Sequence, residues 1–169
     1  MHPLVRLAKE TVELYVRNKK VREVGKDELP PEFGEQAGVF VCLKVAGTLR
    51  GCIGTFQPTE PTIAQETVRN AVSAATCDPR FPCVSSEELG DIDYTVDVLT
   101  QPEPVADKSE LDPRKYGVIV QAGNRRGLLL PDLEGVDTVE YQVAIAMQKA
   151  GIPPGTPVKL FRFEVKRYH

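Results

Sequence analysis

Fourteen prolines are spread along this sequence of 169 residues, and they constrain its secondary structure more than any other feature. Proline interrupts the interior of a helix and removes a hydrogen bond from a central strand, so each one predicts a boundary between two elements. Beyond Pro3, the boundaries fall at Pro30-Pro31, Pro58, Pro61, Pro79, Pro82, Pro102, Pro104, Pro113, Pro131, Pro153-Pro154 and Pro157. The sequence therefore predicts short helices and strands.

Three segments between these prolines have apolar residues at the spacing of one helix face. The first covers about residues 3–20. The second begins near Pro61, and its many alanines favour close packing against a sheet. The third begins at the pattern Asp137-x-x-Glu140, which is typical of a helix capping box, and it ends at Gly151.

Six further segments predict β-strands, and two pairs of them are joined by hairpin-type turns. The turns are Ala46-Gly47-Thr48 and Gly123-Asn124-Arg125, and the strands are predicted at 38–45, 49–55, 92–100, 117–122, 126–130 and 158–166. Because hairpins give antiparallel pairs and helices are mixed with the strands, we expect an α+β fold with a largely antiparallel sheet. The length fits a single domain over residues 1–169.

Histidine is almost missing from the chain, since His2 and His169 at the two ends are the only ones. Histidine is the most common general base and a frequent metal ligand, so we expect no metal site and no histidine-assisted nucleophile. No cofactor is indicated either, because the chain has no glycine-rich loop between a strand and a helix. A formal net charge of −3 and the lack of tryptophan argue against a surface that follows nucleic-acid phosphates.

The four cysteines, Cys42, Cys52, Cys77 and Cys83, have neither CxxC nor metal-ligand spacing. No segment has the unbroken apolar run of a signal peptide or of a membrane span. A chain of this length also buries enough surface to fold without disulfides. We therefore expect four reduced thiols, a cytoplasmic location and no membrane association.

Residues 49–56, with the sequence LRGCIGTF, contain the strongest candidate for a functional site. On a regular strand, alternation places Leu49, Gly51, Ile53 and Thr55 on one face and Arg50, Cys52 and Gly54 on the other. Glycines weaken a strand, so Gly51 and Gly54 indicate a bulge or the close approach of another backbone or of a ligand. Arg50 beside Cys52 would lower the pKa of the thiol, which predicts a reactive cysteine.

A structural explanation of the same segment competes with the functional one. Cys52 would then be a small buried side chain packed in the sheet, and Arg50 would pair with Asp97 or another structural carboxylate. A cysteine nucleophile also needs a base, and the chain has no interior histidine. Only a carboxylate such as Glu66, Asp78 or Asp97 could take that role, provided that the fold brings it close.

A second candidate segment, residues 69–82, contains Asn70, Asp78 and Arg80. Asparagine is a mediocre helix former, so we expect Asn70 to reach from the second helix to a loop. We expect Asp78 to cap the following turn or to pair with Arg80. The structural interpretation is a helix end fixed by an ion pair, and the functional one is a wall of a cleft that faces Cys52.

The sequence resembles the AMMECR-type domain family, the proteins related to the AMME syndrome chromosomal-region gene product. The resemblance rests on LRGCIGTF and covers nearly the whole chain, through segments at 38–44, 69–82, 93–105, 116–131 and 158–165. It implies an α+β fold in which helices pack on an antiparallel sheet, with a larger and a smaller subdomain. It also implies that residues 49–54 form the functional site, with DPRF at 78–81 nearby.

The resemblance implies a cellular context but no established activity. Microbial members are often encoded beside Memo-like proteins, which are relatives of metal-dependent ring-opening dioxygenases, and beside radical S-adenosylmethionine (SAM) enzymes. This context implies a shared modification pathway that acts on RNA or a small metabolite. Memo-like and radical SAM proteins are therefore the expected partners.

Three functions remain open, and we rank them in the following order. The first is a ligand-binding or accessory component whose cleft holds a small anionic ligand and is formed by Arg50, Gly51, Cys52, Gly54, Asn70, Asp78 and Arg80. The second is an enzyme in which Cys52 is the nucleophile, while Arg50 activates it and stabilises developing negative charge. The third is an RNA-associated protein, although the acidic net charge disfavours direct contact with nucleic acid.

Overall fold

Three α-helices form where the apolar spacing predicts them. In this computed structural model, which describes residues 1–169, they are α1 (Pro3–Asn18), α2 (Ile63–Thr76) and α3 (Val139–Ala150). The predicted capping box of the third helix is wrong by one residue, because the Thr138 hydroxyl and not Asp137 accepts the first-turn hydrogen bond, from the Tyr141 amide. None of the three helices combines the length and the apolar character of a membrane span.

Eight strands form two four-stranded sheets where the sequence predicted a single sheet. The strands are β1 (Val39–Val45), β2 (Thr48–Thr55), β3 (Ile92–Leu99), β4 (Glu103–Val105), β5 (Gly117–Ala122), β6 (Arg125–Leu129), β7 (Lys159–Phe163) and β8 (Val165–Tyr168). The orders are β2-β1-β3-β8 in the first sheet and β4-β7-β5-β6 in the second. β1 pairs antiparallel with β2 and β3, and β5 does so with β6 and β7, so the α+β class with antiparallel pairing is confirmed.

Two of the strands differ from the prediction. The segment predicted as one strand over 158–166 is interrupted at Glu164, and its two halves, β7 and β8, belong to different sheets. The sequence pattern did not predict β4, which contains Pro104. β4 lies at the edge of its sheet. Proline has no N–H group, but at an edge position this does not cost a hydrogen bond between strands.

The larger of two compact units comprises Met1–Leu99 and Lys166–His169. Helices α1 and α2 pack against its sheet, and their apolar residues share one core with the fully buried side chains of Val39, Val41 and Leu43 in β1. Successive side chains of a strand alternate, so the remaining β1 side chains lie on the other face. We call that second face of the sheet the outer face.

A tight hairpin joins β1 to β2. Its two turn residues, Ala46 and Gly47, have φ angles of +49° and +78°. Two successive positive φ angles are typical of the two-residue turn whose twist matches that of the flanking strands. The predicted hairpin is confirmed, and it leaves β2 at the edge of the sheet.

The smaller unit, Thr100–Val165, has a core of its own. Helix α3 packs against β5 and β6, where Val118, Val120 and Ala146 are fully buried. Gly127 of β6 permits this close packing, because a Cβ at that position would overlap the carbonyl oxygen of Ala146.

Candidate functional site

Strand β2 has two different faces, and its register with β1 identifies them. Cys52 lies opposite Cys42 and Gly54 lies opposite Phe40, so these four residues share the outer face of the sheet. Gly51 belongs to the other face, against α2. The predicted alternation is therefore confirmed over the second half of the strand.

Arg50 interrupts the alternation as the extra residue of a β-bulge. The consecutive residues Leu43 and Lys44 of β1 lie opposite Gly51 and Leu49, so no residue of β1 opposes Arg50. Leu49 shares the outer face with Lys44, and the prediction that placed it on the face of Gly51 is wrong. The sequence pattern could not reveal this change, because a bulge shifts the alternation by one residue.

The Arg50 guanidinium forms two hydrogen bonds with Glu88, at 2.8 Å from Nε to Oε1 and at 3.1 Å from Nη2 to Oε2. This pairing, helped by the Ser85 amide, lowers the pKa of the Glu88 carboxyl to about 2. The structural explanation expected Arg50 to pair with Asp97 or another structural carboxylate, and that carboxylate is Glu88. Asp97 instead accepts two hydrogen bonds from Arg167, at 2.8 and 2.7 Å.

The third nitrogen of Arg50, Nη1, is buried and has no hydrogen-bond partner in the protein. The Arg50 side chain is only 13% exposed. The ring centre of Phe81 lies 6.0 Å from the guanidinium carbon of Arg50 and 5.5 Å from that of Arg80. Since buried N–H groups almost always have an acceptor, Nη1 is a donor that a ligand could use.

The loop that contains Asp78 and Arg80 covers the edge of β2 at Cys52. The Cys52 amide donates to Oδ2 of Asp78 at 2.9 Å, and Nη2 of Arg80 donates to the Cys52 carbonyl at 3.3 Å. Arg80 also donates to Asp78 at 3.0 and 2.8 Å, which confirms the predicted ion pair and holds the pKa of the Asp78 carboxyl well below its usual range. The two side chains thus supply the acceptor and the donor that a neighbouring strand would supply.

Cys42 and Cys52 are both partly exposed, and they lie directly opposite each other in the register of β1 and β2. The neighbouring Cys42 thiol, followed by burial, raises the pKa of Cys52, while the neighbouring Cys52 thiol lowers the pKa of Cys42. The cation that opposes the increase at Cys52 is Arg80 and not Arg50. The prediction that Arg50 lowers the pKa of the Cys52 thiol is therefore wrong, since the guanidinium pairs with Glu88 instead.

Both glycines of β2 are required by close packing within the protein. A Cβ on Gly51 would overlap the carbonyl oxygen of Ala74 in α2, and a Cβ on Gly54 would overlap the ring of Phe40. Gly51 therefore sets the distance between α2 and the sheet, and Gly54 makes room for an aromatic ring. The sequence predicted a bulge or a close backbone approach, and the structure contains both.

Asn70 lies on the helix side of the sheet. It is 2% exposed, and its side chain donates to the Val39 carbonyl at 2.9 Å and to the Thr55 hydroxyl at 3.2 Å. It therefore reaches two strands and not the loop that we expected. Because Cys52 and Gly54 are on the outer face, the sheet separates Asn70 from them, whereas Gly51 shares the helix side with Asn70.

The sequence pattern did not single out Cys42 or Glu88, although signals for both are present. Ser85-x-x-Glu88 is a capping-box pattern, and the structure forms that capping box. For Cys42, counting back from the hairpin turn would have paired it with Gly51. The bulge moves its partner by one residue to Cys52, which only the observed register reveals.

Two cavities of the larger unit lie elsewhere. They have volumes of about 640 and 560 Å³ and are lined by residues of the 21–34 segment and of α2. Neither is lined by residues of β2 or of the 78–81 loop. No group of three or more His, Cys, Asp or Glu side chains is arranged to hold a metal ion. The candidate site is formed by strand and loop residues that line neither of these two cavities.

Known proteins match the chain over nearly all of its length. The AMMECR1 family profile matches residues 5–168. A protein of Thermotoga maritima is 58% identical over an alignment that covers 99% of this chain and 97% of that protein. Protein CA_C1420 of Clostridium acetobutylicum is 48% identical over 98% of this chain, but the chain spans only 36% of that protein's length.

The fold also matches a solved structure. The crystal structure of the uncharacterised protein PH0010 from Pyrococcus horikoshii superposes with a TM-score of 0.89 and 36% sequence identity, over 97% of this chain and 88% of that one. The resemblance based on LRGCIGTF is thus confirmed by sequence and by fold. The chain belongs to the AMMECR1 family.

Proposed function

We propose that the protein is a ligand-binding accessory component that holds a small anion at Arg50, on the surface formed by β2 and the 78–81 loop. The observation that carries this proposal is the buried Nη1 of Arg50, which has no acceptor in the protein. Glu88 holds the other two nitrogens, so the guanidinium is oriented before a ligand binds. Nη1 can then donate to a carboxylate or phosphate oxygen.

Arg80 supplies a second guanidinium next to the same aromatic ring. Its side chain is 55% exposed, whereas its partner Asp78 is almost fully buried. Phe81 is a neighbour of both guanidinium groups, the buried one and the exposed one. Glu88 and Asp78 balance their two charges, so the support for an anionic ligand is the donor Nη1 of Arg50, which has no acceptor in the protein.

A cysteine-dependent enzyme with Cys52 as nucleophile has less support. The nucleophile in such an enzyme is the thiolate, and the neighbouring Cys42 thiol together with burial raises the pKa of Cys52. Direct RNA binding also has less support, because the net charge is −3. Ligand binding remains the function that the geometry favours.

The proposal includes partners of the Memo-like and radical SAM classes, which the family resemblance implies. The Clostridium acetobutylicum relative supports a role beside other protein modules, since the region that matches this chain is only 36% of a longer protein. Co-expression of the chain with one protein of each class, followed by size-exclusion chromatography, tests the partnership. Separate elution of all three proteins would contradict it.

Inorganic phosphate and succinate are expected to raise the melting temperature of the full chain. At ten times the dissociation constant, the gain of about 1.4 kcal/mol corresponds to about 4 °C for a protein of this size. The Arg50→Lys variant should lose this shift, because lysine keeps a charge opposite Glu88 but has no second nitrogen to offer a ligand. Differential scanning fluorimetry measures both proteins.

The matched control is Arg114→Lys. Arg114 also pairs with a carboxylate, Asp137, but both side chains are about 70% exposed. This variant should show the shift of the unchanged protein. If the shift in Arg50→Lys equals that in Arg114→Lys, then Arg50 does not bind the anion. If neither anion shifts the unchanged protein, the proposed ligand class is wrong.

A further inference from the structure

We propose that Cys42 and Cys52 form a two-thiol site that reduces small-molecule disulfides and closes into a cross-strand disulfide as it does so. The proposal uses the outer face of the sheet and does not require an anion at Arg50. Its substrate class is a low-molecular-weight disulfide such as oxidised glutathione.

The backbone geometry brings the two thiols close together. Antiparallel strands alternate between hydrogen-bonded and non-hydrogen-bonded residue pairs, and side chains are closer in the second kind. The Cys52 amide and carbonyl bond to Asp78 and Arg80, so they point away from β1. Cys42 and Cys52, which lie directly opposite each other, are therefore a non-hydrogen-bonded pair.

This kind of pair fits a disulfide without a change of register. The Cα atoms of a non-hydrogen-bonded pair are about 4.5 Å apart, and disulfides span Cα distances from about 4.4 Å upward. Both side chains lie on the outer face of the sheet, directly opposite each other. Both residues are also partly exposed, so a small molecule can reach them.

The environments of the two thiols assign them different roles. The neighbouring Cys52 thiol lowers the pKa of Cys42 and so favours its thiolate; Lys44 and Arg167 add to that effect, while burial and Asp97 oppose it. Cys52 keeps its proton, because its pKa is raised. Cys42 is therefore the attacking thiol and Cys52 the resolving thiol.

The reaction balances in two steps. The Cys42 thiolate attacks one sulfur of the small disulfide, so a mixed disulfide forms at Cys42, the original S–S bond breaks, and one thiolate leaves with the electron pair. Cys52 then loses its proton as its sulfur attacks that of Cys42, and the second small thiolate leaves and takes up the proton. Two electrons pass from the protein to the small disulfide, which becomes two thiols.

Cys77 and Cys83 serve as internal references for this reactivity. Both are exposed, and the sulfur of each contacts an oxygen of Thr76. Neither has a second thiol opposite it in a strand register. Their modification therefore reports how fast glutathione reacts with an exposed thiol outside the strand pair.

In the test, the reduced full chain is incubated with oxidised glutathione at neutral pH. Its peptides are then mapped by mass spectrometry without reduction. We expect a Cys42–Cys52 linkage, with no glutathione retained at either of these two residues. In a Cys52→Ser variant, glutathione should remain on Cys42. In a Cys42→Ser variant, any glutathione that reaches Cys52 should stay there, because no thiol lies opposite it to resolve the mixed disulfide.

Each remaining outcome overturns the proposal. The proposal is contradicted if Cys42 and Cys52 both stay reduced while Cys77 and Cys83 react. It is also contradicted if Cys42 and Cys52 each retain a glutathione. Faster reaction at Cys52 than at Cys42 would reverse the assigned roles. The mapping of the unchanged protein needs no substitution, so it decides the linkage even if a variant folds poorly. If Arg50 does not bind an anion, the results expected from this disulfide mapping stay the same.

Discussion

Replacing Gly51 with alanine is expected to lower the free energy of unfolding by about 3 kcal/mol, near the upper end of the range for overpacked cores. The new methyl group would overlap the Ala74 carbonyl oxygen, which belongs to a helix backbone and cannot rotate away. Helix α2 would have to move off the sheet, and the packing of the fully buried Val39 and Val41 would loosen with it. Urea unfolding followed by circular dichroism measures the loss.

Substitutions at two other glycines of the same unit provide comparisons for this loss of stability. A Cβ on Gly90 would have no neighbour within 4 Å, so Gly90→Ala should change the stability by no more than about 0.5 kcal/mol. A Cβ on Gly54 would meet the Phe40 ring, a side chain that can move, so Gly54→Ala should lie between the two. Equal stability of the Gly51 and Gly90 variants would mean that α2 does not rest on β2 at Gly51.

Replacing Asp78 with alanine is expected to lower the free energy of unfolding by about 3 kcal/mol, because the loss of a buried, charged acceptor leaves its donors without a partner. Asp78 is 4% exposed and accepts hydrogen bonds from the Cys52 amide, the Arg80 amide and the Arg80 guanidinium. The acceptor of the Cys52 amide is Asp78 Oδ2, which the substitution removes. Urea unfolding again gives the measurement.

The chain contains a matched control for this substitution. The tripeptide Asp-Pro-Arg occurs at 78–80 and again at 112–114. In the second copy Asp112 accepts the Arg114 amide at 2.9 Å, as Asp78 accepts that of Arg80 at 3.1 Å. Asp112 is exposed. Asp112→Ala should therefore cost less than about 1 kcal/mol, and a loss equal to that of Asp78→Ala would show that only the turn matters.

Acid should reduce the difference between the unchanged protein and the Asp78→Ala variant. The pKa of Asp78 is lowered in the folded state, so its carboxylate stabilises the fold at pH values above the unfolded pKa of about 3.9. This stabilisation is lost as the pH falls below that value toward the lower folded pKa. Unfolding curves measured between about pH 6 and pH 2.5 should therefore converge, and a constant gap would contradict the charge-assisted role.

Local patterns in the sequence predicted most of the fold. The apolar spacing identified three helices, and the turn residues identified the β1–β2 hairpin, because both signals depend on neighbouring residues. The change of sheet at Glu164 was missed, since the strand pattern continues on both sides of it. The helix α3 cap was misplaced because Asp137 and Thr138 are both good capping residues.

The candidate site was harder to predict, because it depends on contacts between distant segments. The ion pair of Asp78 and Arg80 was predictable, since the two residues are close in sequence. The partner of Arg50 was not, because the chain has 24 acidic residues and Glu88 lies 38 positions away. The bulge at Arg50 also changed which residues share a face, and no pattern in the sequence indicates it.

Asp78 and Arg80 cover the edge of β2, and this limits how another protein chain can bind there. An uncovered edge strand can pair with a strand of another chain, which leads either to recognition by strand addition or to aggregation. At Cys52 both backbone groups are already occupied, so neither event can start there while the loop is in place. A partner protein must therefore recognise this edge through side chains, and a chain that loses Asp78 becomes prone to self-association as well as less stable.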